Sequence, residues 1–245
     1  MRLVAWNCRS GLHRKLDVLA SLAPDVAIVP ESARLDILTR KAPGLVPTSA
    51  AWVGANHQKG LAVFAFGEYQ VAQHDSYDAS IGYALPVRVD GPSTFHLVGL
   101  WAHYGLSPMH IAAPGPTLQA LKSYREFLLA RPSIVAGDFN NHQRWDKPGK
   151  ASNHVNTLAA CAQLGLVSAY HAFHGLEHGA ERHPTFYWRT RSADCPTFHI
   201  DFAFVPNDSL RFLRSVSVGA REAWIGPGLS DHAPLIVDFD PAFGA

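Results

Sequence analysis

The pattern of apolar runs predicts an α/β protein. Three observations carry that expectation. A buried run, a helical repeat and a second buried run open the chain; turn-punctuated apolar segments fill its middle; and two later apolar runs each begin with polar residues. At the start, Leu3-Val4-Ala5-Trp6 reads as a strand, Leu12, Leu16, Leu19 and Leu22 recur at helical spacing until Pro24, and Val26-Ala27-Ile28-Val29 reads as a second strand. A helical crossover between parallel strands brings their C-terminal ends to one edge of the sheet, so Asn7 and Glu31 should lie side by side. Residues 60–66, 83–89 and 95–102, separated by Gly, Pro and Asp, read as antiparallel pairs. Leu118, Leu121, Tyr124 or Arg125, and Leu128 mark one helix ended by Pro132; Ile134-Val135-Ala136 is then a buried strand leading into Gly137-Asp138-Phe139-Asn140. The runs 199–205 and 230–237 carry their polar residues first. Laid antiparallel to the earlier strands, their starts would meet the others' ends. No repeat, heptad or long linker divides the chain, so one domain spanning 1–245 is expected.

With 47% hydrophobic residues in 245, the chain can bury a sizeable core. No run approaches the roughly 20 apolar residues of a membrane helix, and no signal segment precedes the first strand. The three cysteines, Cys8, Cys161 and Cys195, form no C-x-x-C pair. A soluble, cytoplasmic protein without a membrane partner is the expectation, and a monomer. A formal net charge of +1 is not the footprint of a protein that holds nucleic acid by charge alone. Of the fourteen histidines, His171, His174, His178 and His183 lack H-E-x-x-H spacing and are expected to be solvated loop residues.

Asn7, Glu31, Asp138, Asn140, Asp201, Asp231 and His232 can all reach one sheet edge. Converging carboxylates would repel and raise one another's pKa unless a cation joins them. Carboxylate and amide oxygens without thiolate suit Mg²⁺ or Mn²⁺ better than zinc, and such an ion clamps phosphate and activates water. The neighbouring Asp and His supply an oriented imidazole.

The segments Trp6-Asn7, Pro30-Glu31, Gly137-Asp138-Phe139-Asn140, His183-Pro184-Thr185-Phe186, Ile200-Asp201-Phe202 and Ser230-Asp231-His232-Ala233-Pro234 resemble the ordered motifs of the endonuclease/exonuclease/phosphatase superfamily. The most specific are Gly-Asp-Phe-Asn and Ser-Asp-His, and the set runs from the first strand to the last. The resemblance implies a four-layer α/β sandwich, two mixed sheets face to face with helices outside. It implies Glu31 as the principal metal ligand, assisted by Asn7 and, directly or through water, Asp231. Asp138 would orient or deprotonate the attacking water, with Asn140 holding water and phosphate. Asp201 would fix the tautomer of His232, which stabilises charge on the scissile phosphate. His103, ending its strand, is similar in place to a second catalytic histidine of deoxyribonuclease I and the sphingomyelinases; Tyr104 beside it answers to the tyrosine of exonuclease III-type enzymes. His103 is preferred, because an imidazole titrating near neutrality suits protonation of a leaving group.

Two departures from the pattern stand out. Arg9 occupies a position where the repair nucleases carry Asp or Asn, and reads equally as a phosphate contact or a solvated helix-start residue. Pro30 replaces a glutamine, which limits backbone bonding there without removing Glu31. Residues 141–156, with Arg144, Trp145, Lys147 and Lys150, and the stretch 171–198 are expected beside the site. Basic groups interleaved with aromatics grip nucleic acid, although an ordinary solvated loop has the same composition. The chain is short for the accessory insertions of lipid-directed relatives. A nuclease is therefore expected ahead of a phosphatase or phosphodiesterase on a lipid or small-molecule phosphoester. A binding protein that kept the fold and lost the chemistry should lack at least one of Glu31, Asp138, Asp231 and His232, and none is missing.

Overall fold

The computed structural model describes residues 1–43, 47–103, 115–188 and 194–244. The opening βαβ unit is present: β1 (Arg2–Ala5) runs parallel to β2 (Val26–Ser32), with Leu3 opposite Val26 and Ala5 opposite Ile28. Its helix is shorter than the leucine spacing predicts. Leu12–Arg14 form a 3₁₀ turn, and α1 (Leu16–Ser21) starts only after Lys15, whose ammonium is drawn to the carbonyls of Cys8 and Ser10. After α2 (Leu35–Lys41), β3 (Ser49–Asn56) and β4 (Lys59–Ala65) form a hairpin whose second strand lies antiparallel to β2.

β5 (Gln70–Gln73), β6 (Ala84–Asp90) and β7 (Phe95–Trp101) form an antiparallel meander. The single helix expected over 118–128 is two, α3 (Pro116–Ser123) and α4 (Arg125–Leu129). Tyr124 leaves helical geometry between them, and its buried hydroxyl donates to the Ala84 carbonyl at 3.2 Å. β8 (Ser133–Asp138) returns parallel to β7. Next come α5 (His154–Gln163), β9 (Leu166–Ser168), α6 (Ala169–His174) and the two-residue strands β10 (Phe186–Tyr187) and β11 (Thr197–Phe198). The chain closes with β12 (Asp201–Pro206), β13 (Leu213–Val218), α7 (Arg221–Trp224) and β14 (Leu235–Phe239). His199 and the Ser230–His232 segment thus precede their strands instead of beginning them.

Two six-stranded sheets result, ordered β13-β14-β1-β2-β4-β3 and β5-β6-β7-β8-β12-β9. A buried cluster drawn from both, including Leu3, Ile28, Val63, Leu97, Ile134, Ala203 and Val237, lies between their faces. A second cluster packs α1, α2 and α7 on the outer face of the first sheet through Val4, Leu19, Ile37, Phe64 and Trp224. A third packs α3, α4 and α5 on the second sheet through Leu121, Phe127, Cys161 and Phe204. This is the four-layer α/β sandwich that the resemblance implied. Among the described residues no helix is long and apolar enough to cross a membrane.

Candidate active site

The ends of β1, β2 and β8 and the starts of β12 and β14 meet at one edge of the sandwich. Register explains the pairing: β12 is antiparallel to β8 with Asp201 opposite Asp138, and β14 is antiparallel to β1. Asp138 is fully buried, and Gly137 before it has φ +137° and packs so closely on β7 that a Cβ would stand 2.0 Å from the Leu100 carbonyl oxygen. Glycine is the residue that allows this approach. Asn140 adopts φ +46° and folds back, its backbone N–H donating to Asp138 Oδ1 at 2.9 Å and its side-chain amide to Oδ2 at 3.2 Å. From the other sheet, Asn7 Nδ2 donates to Asp138 Oδ2 at 3.0 Å.

His232 completes the buried group. Its Nδ1 donates to Asp201 Oδ2 at 2.8 Å, while Nε2 faces Asp138 Oδ2 at 3.9 Å. Burial alone would lower the imidazole, but the carboxylates of Asp201 and Asp138 outweigh it and push His232 up to about 9. Burial, with the like charge of Asp201, pushes Asp138 up to about 7 against the opposing pull of His232. The sequence expectation for these four residues, Asp138, Asn140, Asp201 and His232, corresponds to one connected network.

Three residues support it that the sequence reading left without roles. Thr185, in the His183–Phe186 motif, accepts the N–H groups of Ile200 and Asp201 on its hydroxyl, both at 3.0 Å, and its carbonyl accepts Ala233 N–H. Ser230 Oγ donates to the Asn7 carbonyl at 2.6 Å and accepts His232 N–H at 3.0 Å. Trp6 Nε1 donates to the His232 carbonyl at 3.0 Å.

The expected metal ligands occupy the same edge. β2 bulges between Pro30 and Ser32, and the unpaired Glu31 between them takes φ +62°, which re-aims its carboxylate. That carboxylate receives Lys59 Nζ at 3.0 Å and Ser10 Oγ at 3.2 Å on Oε2. Lys59 opens β4 and also lies over the Trp101 ring; no sequence motif pointed to it. Asp231 faces Arg9 Nε at 3.6 Å. Asn7 Oδ1 accepts the Arg9 N–H at 3.0 Å, and Arg9 and Ser10 both take left-handed φ values as the chain turns away from β1. Arg9 thus stands within ion-pair distance of Asp231 while its side chain stays 53% exposed. The donor set is oxygen only, which fits a hard divalent cation, and Lys59 and Arg9 hold the positive charge such an ion would supply. Asp138, Asp201 and His232 also bring ligand atoms within 4.8 Å of one another; of these groups His232 Nδ1 is taken by Asp201 Oδ2 and Asp138 by the amides of Asn7 and Asn140, while Asp201 Oδ1 is buried without a partner.

His103 follows β7 beside Lys59 and Glu31, its ring against Trp101 at 4.8 Å and Tyr83 at 6.3 Å. Burial first, then Lys59, lowers its pKa. With Tyr83, Trp101, Pro116 and Gln119 it lines a cavity of about 160 Å³. Tyr104 lies outside the described residues. Trp145 is 37% exposed and packs on Phe198 at 4.7 Å.

One expectation fails. His171, with His142, His154 and His199, is buried, and His178 stacks on His171 with ring centroids 3.5 Å apart. His174 Nε2 meets the Val216 carbonyl at 3.2 Å, so His171, His174 and His178 are packed residues; His183 is an exposed loop residue as expected, although its Nδ1 meets the Tyr170 hydroxyl at 2.8 Å. Spacing along the chain did not reveal it, because the cluster is assembled from α5, α6 and three separate connections.

No family model matches the chain, and no curated protein matches it. Solved structures do. A 3′ phosphatase from Neisseria, NExo, bound to a product DNA hairpin is 18% identical with a TM-score of 0.66, covering 98% of this chain and 99% of its own. An AP endonuclease from Archaeoglobus fulgidus is also 18% identical at TM-score 0.65, covering 98% and 99%. A protein described as endonuclease/exonuclease/phosphatase from Beutenbergia cavernae is 16% identical at TM-score 0.59, covering 98% of this chain and 71% of its own. At these identities the likeness is one of fold: the chain has the endonuclease/exonuclease/phosphatase fold.

Proposed function

We propose that the chain is a divalent-metal-dependent phosphoester hydrolase whose preferred substrate is nucleic acid. The observation that carries this reading is the buried Asp138–His232–Asp201 network at the junction of the two sheets. A carboxylate raised to about 7 is a base of useful strength at neutral pH. Asp138 accepts a proton from the attacking water, whose oxygen bonds to phosphorus as the ester P–O bond breaks. Asn140 and Asn7 hold the carboxylate in place through their amide donors. His232, kept cationic and oriented by Asp201, faces the negative charge that builds on the phosphoryl oxygens. His103, on the Glu31–Lys59 side, is assigned to protonate the leaving oxygen, a role that needs the negative charge of the bound phosphate to offset the burial and the Lys59 charge that lower its pKa. A Mg²⁺ or Mn²⁺ ion held by Glu31, Asp231 and Asn7 would polarise the phosphoryl oxygen and lower the pKa of bound water.

Nucleic acid is favoured because a partly exposed guanidinium, Arg9, and two exposed indoles, Trp145 and Trp188, border this edge, a combination suited to phosphate contact and base stacking. The structurally similar Neisseria protein binds a DNA hairpin product and is described as a 3′ phosphatase, so a terminal phosphomonoester is the second substrate to test. The experiment is a panel of abasic and plain duplexes, 3′-phosphorylated duplex, single strands, RNA, sphingomyelin and inositol phosphates, each with Mg²⁺, Mn²⁺ or chelator. Hydrolysis of a nucleic-acid substrate that chelator abolishes and Mg²⁺ or Mn²⁺ restores is the expected result. Undiminished turnover in excess chelator would refute the metal requirement, and preference for a lipid or inositol phosphate would refute the substrate class.

A further inference from the structure

A second group of ligating side chains lies apart from the oxygen-rich site. His171 Nε2 faces Glu181 Oε1 at 3.1 Å, and His142 Nε2 faces Glu181 Oε2 at 3.5 Å. One ligand atom each from His171, His178 and Glu181 lies within 4.8 Å of the other two. Glu181 is also fixed by the Gly179 N–H at 2.9 Å, on a turn where Gly179 takes φ +89°. We propose that His171, His178 and Glu181 form a binding site for a first-row transition ion, Zn²⁺ foremost, which braces the catalytic edge from behind.

One observation points to a ligand beyond the cluster itself. His199 Nε2 is a ring nitrogen without a partner in a residue only 1% exposed, and leaving such a group unpaired is costly; His154, by contrast, meets the cluster through Nε2, 3.3 Å from His178 Nδ1. His199 Nδ1 lies 2.8 Å from the His183 carbonyl oxygen, so it carries the proton and donates, which leaves Nε2 as a bare lone pair. That nitrogen belongs to a ring 6.1 Å from His171. The supporting contacts also suit a metal. Ser168 Oγ lies 2.8 Å from His171 Nδ1 and can accept its proton, releasing Nε2 as a ligand. His142 Nδ1 accepts the Arg144 N–H at 3.0 Å, so its Nε2 carries hydrogen and donates to Glu181, a second contact that orients the carboxylate. Two imidazoles and a carboxylate form a set that zinc accepts and that differs from the all-oxygen set of Glu31, Asp231 and Asn7.

The placement gives the site its use. His142 stands two residues after Asn140 and His199 two residues before Asp201. An ion here would fix the turn after α6 on the helix, and Glu181, which His142 contacts, would carry that order to the segment that delivers Asn140; this role holds for whatever phosphoester the edge hydrolyses.

The test measures metal content and binding on tag-free protein. With excess Mg²⁺ present to fill the oxygen-only site, wild type should retain one equivalent of Zn²⁺ by mass spectrometry after dialysis. Co²⁺ in its place should give the visible absorption of low-coordinate Co²⁺ with nitrogen ligands. His178→Gln and Glu181→Gln should each weaken Zn²⁺ binding by more than about a hundredfold, with far-UV circular dichroism checking that they fold, while Glu31→Gln should keep the full equivalent. His178→Gln should also lower the melting temperature only when Zn²⁺ is supplied to both proteins. Overturning results are the absence of stoichiometric Zn²⁺ in wild type after incubation with the ion, or binding that survives in both folded cluster variants, or binding lost in Glu31→Gln alone.

Discussion

Asp138 is held in an environment that opposes its charge, and this gives its variants a pH signature. Its folded carboxyl keeps a proton up to about 7, whereas the ordinary value is 3.8. The folded state therefore binds more protons than the unfolded one across that window, and this contribution to stability is lost as pH rises through it. Asp138→Asn should remove that slope while lowering turnover by roughly a hundredfold or more. Melting curves from pH 4 to 8 beside single-turnover rates test both effects; a variant with wild-type rate would show that Asp138 is structural. His232 has the other titration. Raised from 6.5 to about 9, it stabilises the fold fully below 6.5, and the contribution disappears as pH passes 9. The deficit of His232→Gln against wild type should therefore shrink across that range. Lys59 competes for Glu31 at 3.0 Å. An ion pair this exposed contributes up to about 1 kcal/mol, or roughly fivefold, so Lys59→Met should lower the Mg²⁺ concentration for half-maximal turnover by about that factor. An unchanged metal titration would place the metal away from Glu31.

At the scale of elements, the site depends on how β8 meets β7. A methyl at Gly137 would collide with the Leu100 carbonyl, and the residue's φ of +137° disfavours any L side chain. Gly137→Ala should cost roughly 3 kcal/mol or more and misplace Asp138; a denaturant midpoint equal to wild type would contradict the geometry. The sequence reading located β1, β2, β4, β6, β7, β8 and the approach to β12 because those strands are buried almost throughout, and such strands read as continuous apolar runs; it also met β14, whose buried and intermediate positions alternate but are mostly apolar. It did not pick out β3, β5 and β13, whose exposed and intermediate positions interrupt the apolar signal, nor α2, which has only two buried residues, Ile37 and Leu38. The site was legible for a related reason: Asp138, Asn140, Asp201 and His232 lie within or next to strongly patterned strands. Thr185 and Ser230 lie inside motifs, but their bonds to Ile200, Asp201 and Asn7 form only in the fold; Lys59 acts through contacts distant in sequence, and the histidine cluster gathers from segments with no shared period. None of these contacts leaves a local pattern to read.

At the scale of the molecule, the proposed catalytic edge belongs to neither sheet. Asn7 reaches Asp138, and His232 reaches Asp201, each bond joining a residue next to a strand of one sheet to a strand of the other. Their geometry follows from how the two sheets rest on one another, and at Gly99 that fit leaves no room for a side chain. A Cβ at Gly99 would stand 2.9 Å from Val63 Cγ2 and 3.4 Å from Ile28 Cγ2 across the interface. Gly99→Ala must therefore push β7 away from β4, an overpacking cost of about 1–3 kcal/mol. The displacement should reach the sheet edge: β7 carries His103 at its end and pairs with β8, which carries Asp138. Turnover should fall in Gly99→Ala although no substituted atom lies at the site. Val63→Ala removes the methyl groups in the way, so the double variant Val63→Ala/Gly99→Ala should recover part of the turnover and show a non-additive gain in stability of 0.5 kcal/mol or more, about the coupling of residues in contact. A double-mutant cycle on melting free energy and turnover reads both. Additive losses would mean that Gly99 acts through its own backbone and that the spacing of the sheets does not set the catalytic geometry.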